Sequence, residues 1–137
     1  MIRLTEKTQQ DFLNKQWMSK IAEANVPITD NKYWLVENDG TTYVGVEDDK
    51  VMAEGKGFSV YPTYSFSELV YKLNEWHPDY NGLILWKDAP FYFTQYEDAP
   101  DDSPFTCCSE YPIYSAAQLF INCMKNGFEC TKNISTK

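Results

Sequence analysis

The chain has 137 residues, enough to bury one hydrophobic core without metal or disulfide staples, and 16% of them are aromatic. Its formal net charge is −8, and the acidic side chains are concentrated in residues 33–110. This charge disfavours direct binding to nucleic acid, because phosphate contacts need Lys and Arg. Since the N-terminus lacks the apolar run of a signal peptide and no window has eighteen apolar residues, we expect a cytoplasmic protein without a membrane span.

The N-terminal segment has the pattern of one amphipathic helix. Leu13, Trp17 and Ile21 recur at the spacing of a single helical face, which predicts a helix over residues 5–24. Residues 1–31 are therefore assigned to this helix and the connection that follows it.

Residues 32–81 are predicted to form three strands followed by a helix. The strands are suggested by β-forming residues separated by turn signals. In chain order, these elements are a strand at 32–37, a turn at 38–40, a strand at 42–47, a turn at 48–50, a strand at 51–61 and a helix from 65 to 76.

Residues 82–130 are predicted to repeat this order, with residues 131–137 as a tail. The elements are a hairpin of strands 83–86 and 91–96 across a turn at 87–90, an acidic loop at 97–104, a strand at 105–110 and a helix from 115 to 127.

The sequence Tyr-Pro-x-Tyr-Ser occurs twice, at residues 61–65 and 111–115. The fifty-residue period and the matching order of elements predict a duplicated unit. The fold expected is α+β, a single domain in which an N-terminal helix precedes two tandem βββα repeats. Antiparallel strands would carry the helices on one face, either in one merged sheet or in two sheets packed as a pair.

Each copy of the motif is interpreted as a signal that starts a helix. Ser65 and Glu68 have the spacing of a capping box, and so do Ser115 and Gln118. The residue before each serine is aromatic and the residue four positions after it is leucine, which is the pattern of a hydrophobic staple. The two tyrosines of each motif are therefore assigned to folding rather than to a binding site.

No catalytic or metal-binding motif is present, so we expect a protein that is not an enzyme and holds no cofactor. His77 is the only histidine, which excludes catalytic triads that use histidine and sites with several His ligands. The cysteines lack zinc-finger spacing. Reduced cysteines agree with a cytoplasmic location, a disulfide is the alternative, and Cys123 is expected in the core. The four cysteines are Cys107, Cys108, Cys123 and Cys130.

The densest polar cluster is the acidic loop. It has three interpretations: a solvated loop, a site for a divalent cation without EF-hand spacing, or a contact surface for a basic protein partner with aromatic anchors at its ends. The residues of this candidate surface are Tyr96, Glu97, Asp98, Asp101, Asp102 and Phe105.

The run Tyr-x-Thr-Tyr-x-x-x-Glu-Leu at residues 61–69 resembles a helix-start pattern of small phage and mobile-element proteins of unknown function. Residues 111–119 match the same pattern less well. The resemblance implies a small intracellular accessory protein and provides no catalytic residues.

Two functions are therefore expected. The first is a non-enzymatic interaction protein, such as an inhibitor, an immunity-type protein or a phage accessory factor, that binds a basic protein partner. The alternative is a small-molecule-binding module with the ligand held between the two repeats. An enzyme that uses carboxylates is a third possibility. Oligomeric state is left open by the sequence.

Overall fold

The computed structural model describes residues 1–24, 32–75, 82–97, 99–100 and 102–125. These residues form five helices and seven strands, and the strands lie in two separate antiparallel sheets. The α+β class predicted from the sequence is confirmed.

The first sheet has four strands, and its central hairpin is the one predicted around the Asn-Asp-Gly turn. In that turn the amide of Thr41 donates to the Asp39 carboxylate at 2.9 Å, and Gly40 has φ of +89°, which favours glycine. In spatial order β1-β3-β2-β4, the strands are β1 (Ile2–Arg3), β3 (Thr42–Gly45), β2 (Lys32–Val36) and β4 (Ser59–Thr63).

The second sheet has three strands in the order β5-β6-β7. Ala89 and Pro90, joined by a cis peptide bond, connect the first two strands, so the predicted hairpin is confirmed. The strands are β5 (Leu83–Asp88), β6 (Phe91–Tyr96) and β7 (Thr106–Ser109).

The prediction of one helix over residues 5–24 is wrong, because the chain leaves the helical path at residues 10–14. The amide of Leu13 donates to the Tyr64 carbonyl at 2.9 Å, which draws this segment onto the start of a later helix. Asn14 then caps a new helix by accepting from the amide of Trp17 at 3.0 Å. The described helices are α1 (Glu6–Gln9), α2 (Lys15–Glu23), α3 (Glu47–Gly55), α4 (Phe66–Glu75) and α5 (Pro112–Lys125).

Helix α3 replaces the turn predicted at residues 48–50 and the first five residues of the strand predicted over residues 51–61. The Asp49 carboxylate accepts from the amide of Val46 at 3.0 Å, and acidic side chains in the first turn interact favourably with the helix dipole. Gly57, with φ of +82°, follows the end of the helix, and the amide of Phe58 bonds back to the Ala53 carbonyl. Strand β4 therefore begins only at Ser59.

The arrangement of two tandem βββα repeats is not confirmed. Helix α3 interrupts the first unit, and its last strand, β4, pairs with the first strand of the hairpin. In the second unit the last strand, β7, pairs with the second strand of the hairpin. The two units therefore differ in strand order.

The expectation of helices on one face fails for the first sheet. The side chains of Tyr33 and Trp34 point to opposite faces, because they are neighbours on one strand. The Lys50 ammonium of α3 lies 4.8 Å from the centre of the Tyr33 ring, while the Trp34 indole donates to the carbonyl of Leu13 in the segment between α1 and α2. On the Trp34 side, the Lys15 ammonium of α2 also lies 5.8 Å from the centre of the Tyr61 ring, opposite Trp34 in the sheet, so α3 lies on one face of this sheet and the segment leading into α2 on the other.

The two serine motifs have different structures. The amide of Glu68 donates to the Ser65 hydroxyl at 3.1 Å, and the amide of Ser65 donates to the Glu68 carboxylate at 3.1 Å, so the first capping box is confirmed. The second is wrong, because α5 already begins at Pro112. Ser115 lies inside the helix, fully buried, and its hydroxyl bonds the Thr94 hydroxyl at 2.6 Å.

Replacing Ser65 with alanine is expected to lower the free energy of unfolding by about 1 kcal/mol, because the amide of Glu68 loses its acceptor. Burial opposes ionisation of Glu68, but hydrogen bonds from Ser65 and Lys32 outweigh it and lower the pKa of this carboxyl. Urea unfolding followed by circular dichroism measures the change. The control is Ser67→Ala, an exposed position on the same turn, expected within about 0.5 kcal/mol of wild type. Equal effects of the two substitutions would contradict the capping role.

The largest core cluster joins residues from both predicted units. Tyr64 and Phe120 pack with ring centroids 6.1 Å apart, and both side chains are almost fully buried. Cys123 is fully buried in the same cluster, as predicted. The core thus lies between α2, α4 and α5 and one face of the second sheet.

Candidate protein-binding surface

Helix α5 covers only one face of the second sheet. Thr94, Tyr96 and Cys107 point toward α5 and are buried. The alternate residues of the strands point away from the helix, since successive side chains on a strand face opposite sides. We call this opposite side the outer face; its apolar residues and its cysteine are Ile84, Trp86, Phe91, Phe93 and Cys108.

The outer face presents an ordered aromatic patch to solvent. The rings of Trp86 and Phe93 are stacked with centroids 4.0 Å apart and planes 5° apart. The indole N–H of Trp86 donates to the side-chain oxygen of Gln95 at 2.7 Å, which fixes the orientation of the ring. Trp86 is nevertheless 41% exposed and Phe91 is 42% exposed. Such aromatic groups, positioned before binding, lose little side-chain entropy in a complex.

Strand β5 is exposed on both faces and along one edge. Leu85 points to the same side as α5 but is 42% exposed, because the helix packs over β6 and β7 and leaves β5 overhanging. Of the described strands, only β6 pairs with β5. The run Leu83–Trp86 is continuously apolar, a pattern typical of strands that are buried on both faces. The sequence of β5 therefore predicts a strand buried on both faces, whereas its side chains are largely exposed.

The predicted acidic surface is divided by the structure. Glu97 and Asp102 are exposed, whereas Asp98 and Asp101 lie outside the described residues. The loop is held by its own hydrogen bonds, with the hydroxyl of Ser103 donating to the Pro100 carbonyl at 2.8 Å. It connects β6 to β7 and so lies at one end of the outer face.

The two aromatic residues suggested as anchors pack in the core. Tyr96 is fully buried, and its hydroxyl donates to the Leu73 carbonyl at 2.7 Å. Burial raises the pKa of this phenol. Phe105 is only 9% exposed. The exposed aromatic rings of the outer face are instead those of Trp86, in the middle of the sheet, and Phe91, at the hairpin end opposite the acidic loop.

The described cysteines are free, and two of them are poorly suited to nucleophilic chemistry. Burial raises the pKa of the Cys107 thiol to about 11 and that of Cys123 to about 12, so both are protonated at neutral pH. Within the described residues, no group of three or more His, Cys, Asp or Glu side chains is placed to hold a metal ion. His77 lies outside the described residues.

A cleft of about 410 Å³ lies at the junction of the two predicted units, between β5 and the starts of α4 and α5. Its buried hydroxyl groups are already paired: Thr94 with Ser115, and Ser115 with the Pro112 carbonyl at 2.8 Å. The cleft is open on one side. A deep, water-excluded apolar cavity at this junction would favour the small-molecule alternative, whereas these residues form an open cleft.

No protein-family model matches the chain, and the searches of curated proteins and solved structures found no match. In the part of the chain that the structure describes, each helix is too short or too polar to cross a lipid bilayer.

The outer face was not predicted as a surface from the sequence. The hairpin was predicted, but strand alternation alone does not tell which face of a sheet a helix covers. The available signal was apolar residues at both odd and even positions of β5 and β6. Such strands need cover on both sides.

Proposed function

We propose that this protein is a non-enzymatic interaction factor that binds a basic protein partner through the outer face. The observation that carries the proposal is the uncovered aromatic stack of Trp86 and Phe93 on a sheet whose other face is covered by α5. A role as an inhibitor or phage-type accessory factor in the cytoplasm agrees with this kind of surface and with reduced cysteines.

The charge around the outer face favours a basic partner. Glu97 and Asp102 are exposed at the end where β6 leads into β7, and Asp88 and Glu110 are exposed at the opposite end of the sheet. An apolar centre with a charged rim is the usual anatomy of a protein interface. A basic partner would bury the aromatic rings and place its cationic groups against this rim.

Binding of this kind would act by occupying the partner's basic surface. Opposite charges accelerate the encounter, and the aromatic stack slows dissociation once water is excluded. If the partner uses its basic surface to bind nucleic acid, the acidic chain would compete with the phosphates for that surface.

Salt dependence tests this proposal. The partner is isolated by affinity capture from the native cell and titrated with the purified chain at about 50 mM and about 500 mM salt, a range over which exposed charges become strongly screened. We expect binding to weaken by about tenfold or more over this range. Equal affinity at the two salt concentrations would contradict binding through charge.

Substitutions of exposed carboxylates on two different faces test which face the basic partner contacts. The double variant Glu97→Gln/Asp102→Asn should weaken binding at low salt and reduce the salt dependence. The control variant, Asp48→Asn/Glu54→Gln, removes two exposed charges on α3 and should leave affinity within about twofold of wild type. If the α3 variant has the larger effect, the partner binds another face.

A further inference from the structure

We propose that two copies of this chain pair through the free edge of β5, antiparallel, with Leu85 opposite Leu85 of the second copy. This self-association goes beyond the proposed function, because it uses the edge of the sheet and needs no other partner.

The outward-pointing backbone groups of β5 follow from its pairing with β6. The amide of Glu97 donates to the Gly82 carbonyl at 2.7 Å, so residue 82 belongs to a hydrogen-bonded pair. In an antiparallel ladder, hydrogen-bonded pairs alternate with pairs that point their amides and carbonyls away from the partner strand. Leu83, Leu85 and Lys87 therefore direct their N–H and C=O groups to the free edge.

These outward groups are symmetric about Leu85. A twofold axis perpendicular to the sheet places one residue of β5 opposite the same residue of the second copy. When that residue is Leu85, Leu83 lies opposite Lys87 of the second copy, and all three outward residues of each strand find hydrogen-bonding partners. A register centred on Trp86 pairs Leu85 with Lys87 and leaves Leu83 unpaired.

The same register matches the exposed side chains of β5. On the outer face, Ile84 and Trp86, which are 38% and 41% exposed, lie opposite Trp86 and Ile84 of the second copy. On the inner side, Leu85 meets Leu85 of the second copy beside the open cleft. Apolar pairs thus occupy the centre, and the charged Lys87 and Asp88 fall at the ends, as expected for a strand buried by pairing with itself.

The pairing would create one six-stranded antiparallel sheet with a continuous outer face and an acidic loop at each end. Each copy carries a net charge of −8, so the two copies repel each other and added salt should strengthen the dimer. Binding of a basic partner should respond to salt in the opposite direction. The two associations are therefore distinguishable in one set of buffers.

Sedimentation velocity of the full chain tests self-association. We expect a dimer fraction that rises between about 5 μM and about 200 μM protein, since an interface made by one strand is smaller than the roughly 1,200–2,000 Å² of stable complexes.

Leu85→Pro removes an outward amide without breaking the bonds to β6 and should be monomeric over the same range. Leu85→Lys, which places two ammonium groups opposite each other, should also be monomeric. The control Tyr71→Ser, on the exposed side of α4, should dimerise like wild type. A wild-type chain that is monomeric throughout, or a Leu85→Lys variant that still dimerises, would overturn the proposal.

Cross-linking tests the register. In a background carrying Cys108→Ser and Cys130→Ser, Leu85→Cys should form an intermolecular disulfide under mild oxidation, because directly opposite residues have Cα atoms about 5.5 Å apart. Lys87→Cys should not, since the proposed register offsets the two copies of this residue by four positions, or about 13 Å. Equal cross-linking of the two variants would show that the strands pair in another register or not at all. A disulfide between two copies that forms only after a basic partner is added would contradict pairing that needs no other molecule.

Discussion

The double variant Trp86→Ser/Phe93→Ser is expected to bind the protein's partner about 100-fold more weakly than wild type, a loss of about 3 kcal/mol. The two rings are stacked 4.0 Å apart and are held in place by the bond from Trp86 to Gln95. Their loss removes both the apolar area and the ordered geometry that the partner would contact. Titration calorimetry with the isolated partner measures the change, at chain concentrations below those at which β5 self-associates.

The fold should survive this substitution, since the rings point away from α5. The control is Tyr71→Ser, which removes a ring that is 66% exposed on α4. Its affinity should stay within about twofold of wild type. Unchanged affinity of the double variant would show that the outer face does not contact the partner.

The second large effect is on stability. Replacing Phe120 with alanine is expected to reduce the free energy of unfolding by about 3–5 kcal/mol, because the ring is 1% exposed and packs against Tyr64. The total free energy of unfolding of a small domain is about 5–15 kcal/mol, so this variant would be close to unfolding at 37 °C. Urea unfolding followed by circular dichroism measures the loss.

A matched phenylalanine provides the control for this experiment. Phe91 is 42% exposed on the outer face, and Phe91→Ala should cost less than about 1 kcal/mol. Equal losses for the two substitutions would mean that the outer face is part of a core.

The two hairpins were predictable from the sequence because their signals are local. The Asn-Asp-Gly turn at residues 38–40 and the apolar strands around Pro90 specify pairing within a few residues. Both hairpins are present in the structure. Local turn chemistry is sufficient for such elements.

Helix α3 was missed because little in its own sequence demands a helix. Isolated helices of nine residues are marginal in water, and Ala53 is its only buried residue. The helix is stabilised by the Asp49 cap and by packing on the first sheet. Contacts with residues distant in sequence cannot be predicted from the local sequence of a helix.

The two Tyr-Pro motifs have the same local sequence but adopt different structures, because their surroundings in the fold differ. Pro62 lies in β4, an edge strand, opposite Tyr33, and the helix begins only after Ser65. Pro112 is instead the first residue of α5, a position that tolerates proline because no intrahelical bond is lost. Ser115 is thereby placed inside the helix, against Thr94.

The candidate surface was only partly predictable for a related reason. The exposed carboxylates at Glu97 and Asp102 follow from composition, whereas the burial of Tyr96 depends on which face of β6 meets α5. That choice is made by packing between elements distant in sequence.

The most direct test of the outer face as a binding surface is the rate at which iodoacetamide labels Cys108 in protein carrying Cys130→Ser. Cys108 is exposed and lies opposite Phe93, whereas burial keeps Cys107 and Cys123 protonated and unreactive. We expect rapid labelling of Cys108 in the free chain and labelling at least about tenfold slower in the complex with the partner. Labelling at the same rate in both states, with the partner still bound, would contradict the proposed surface.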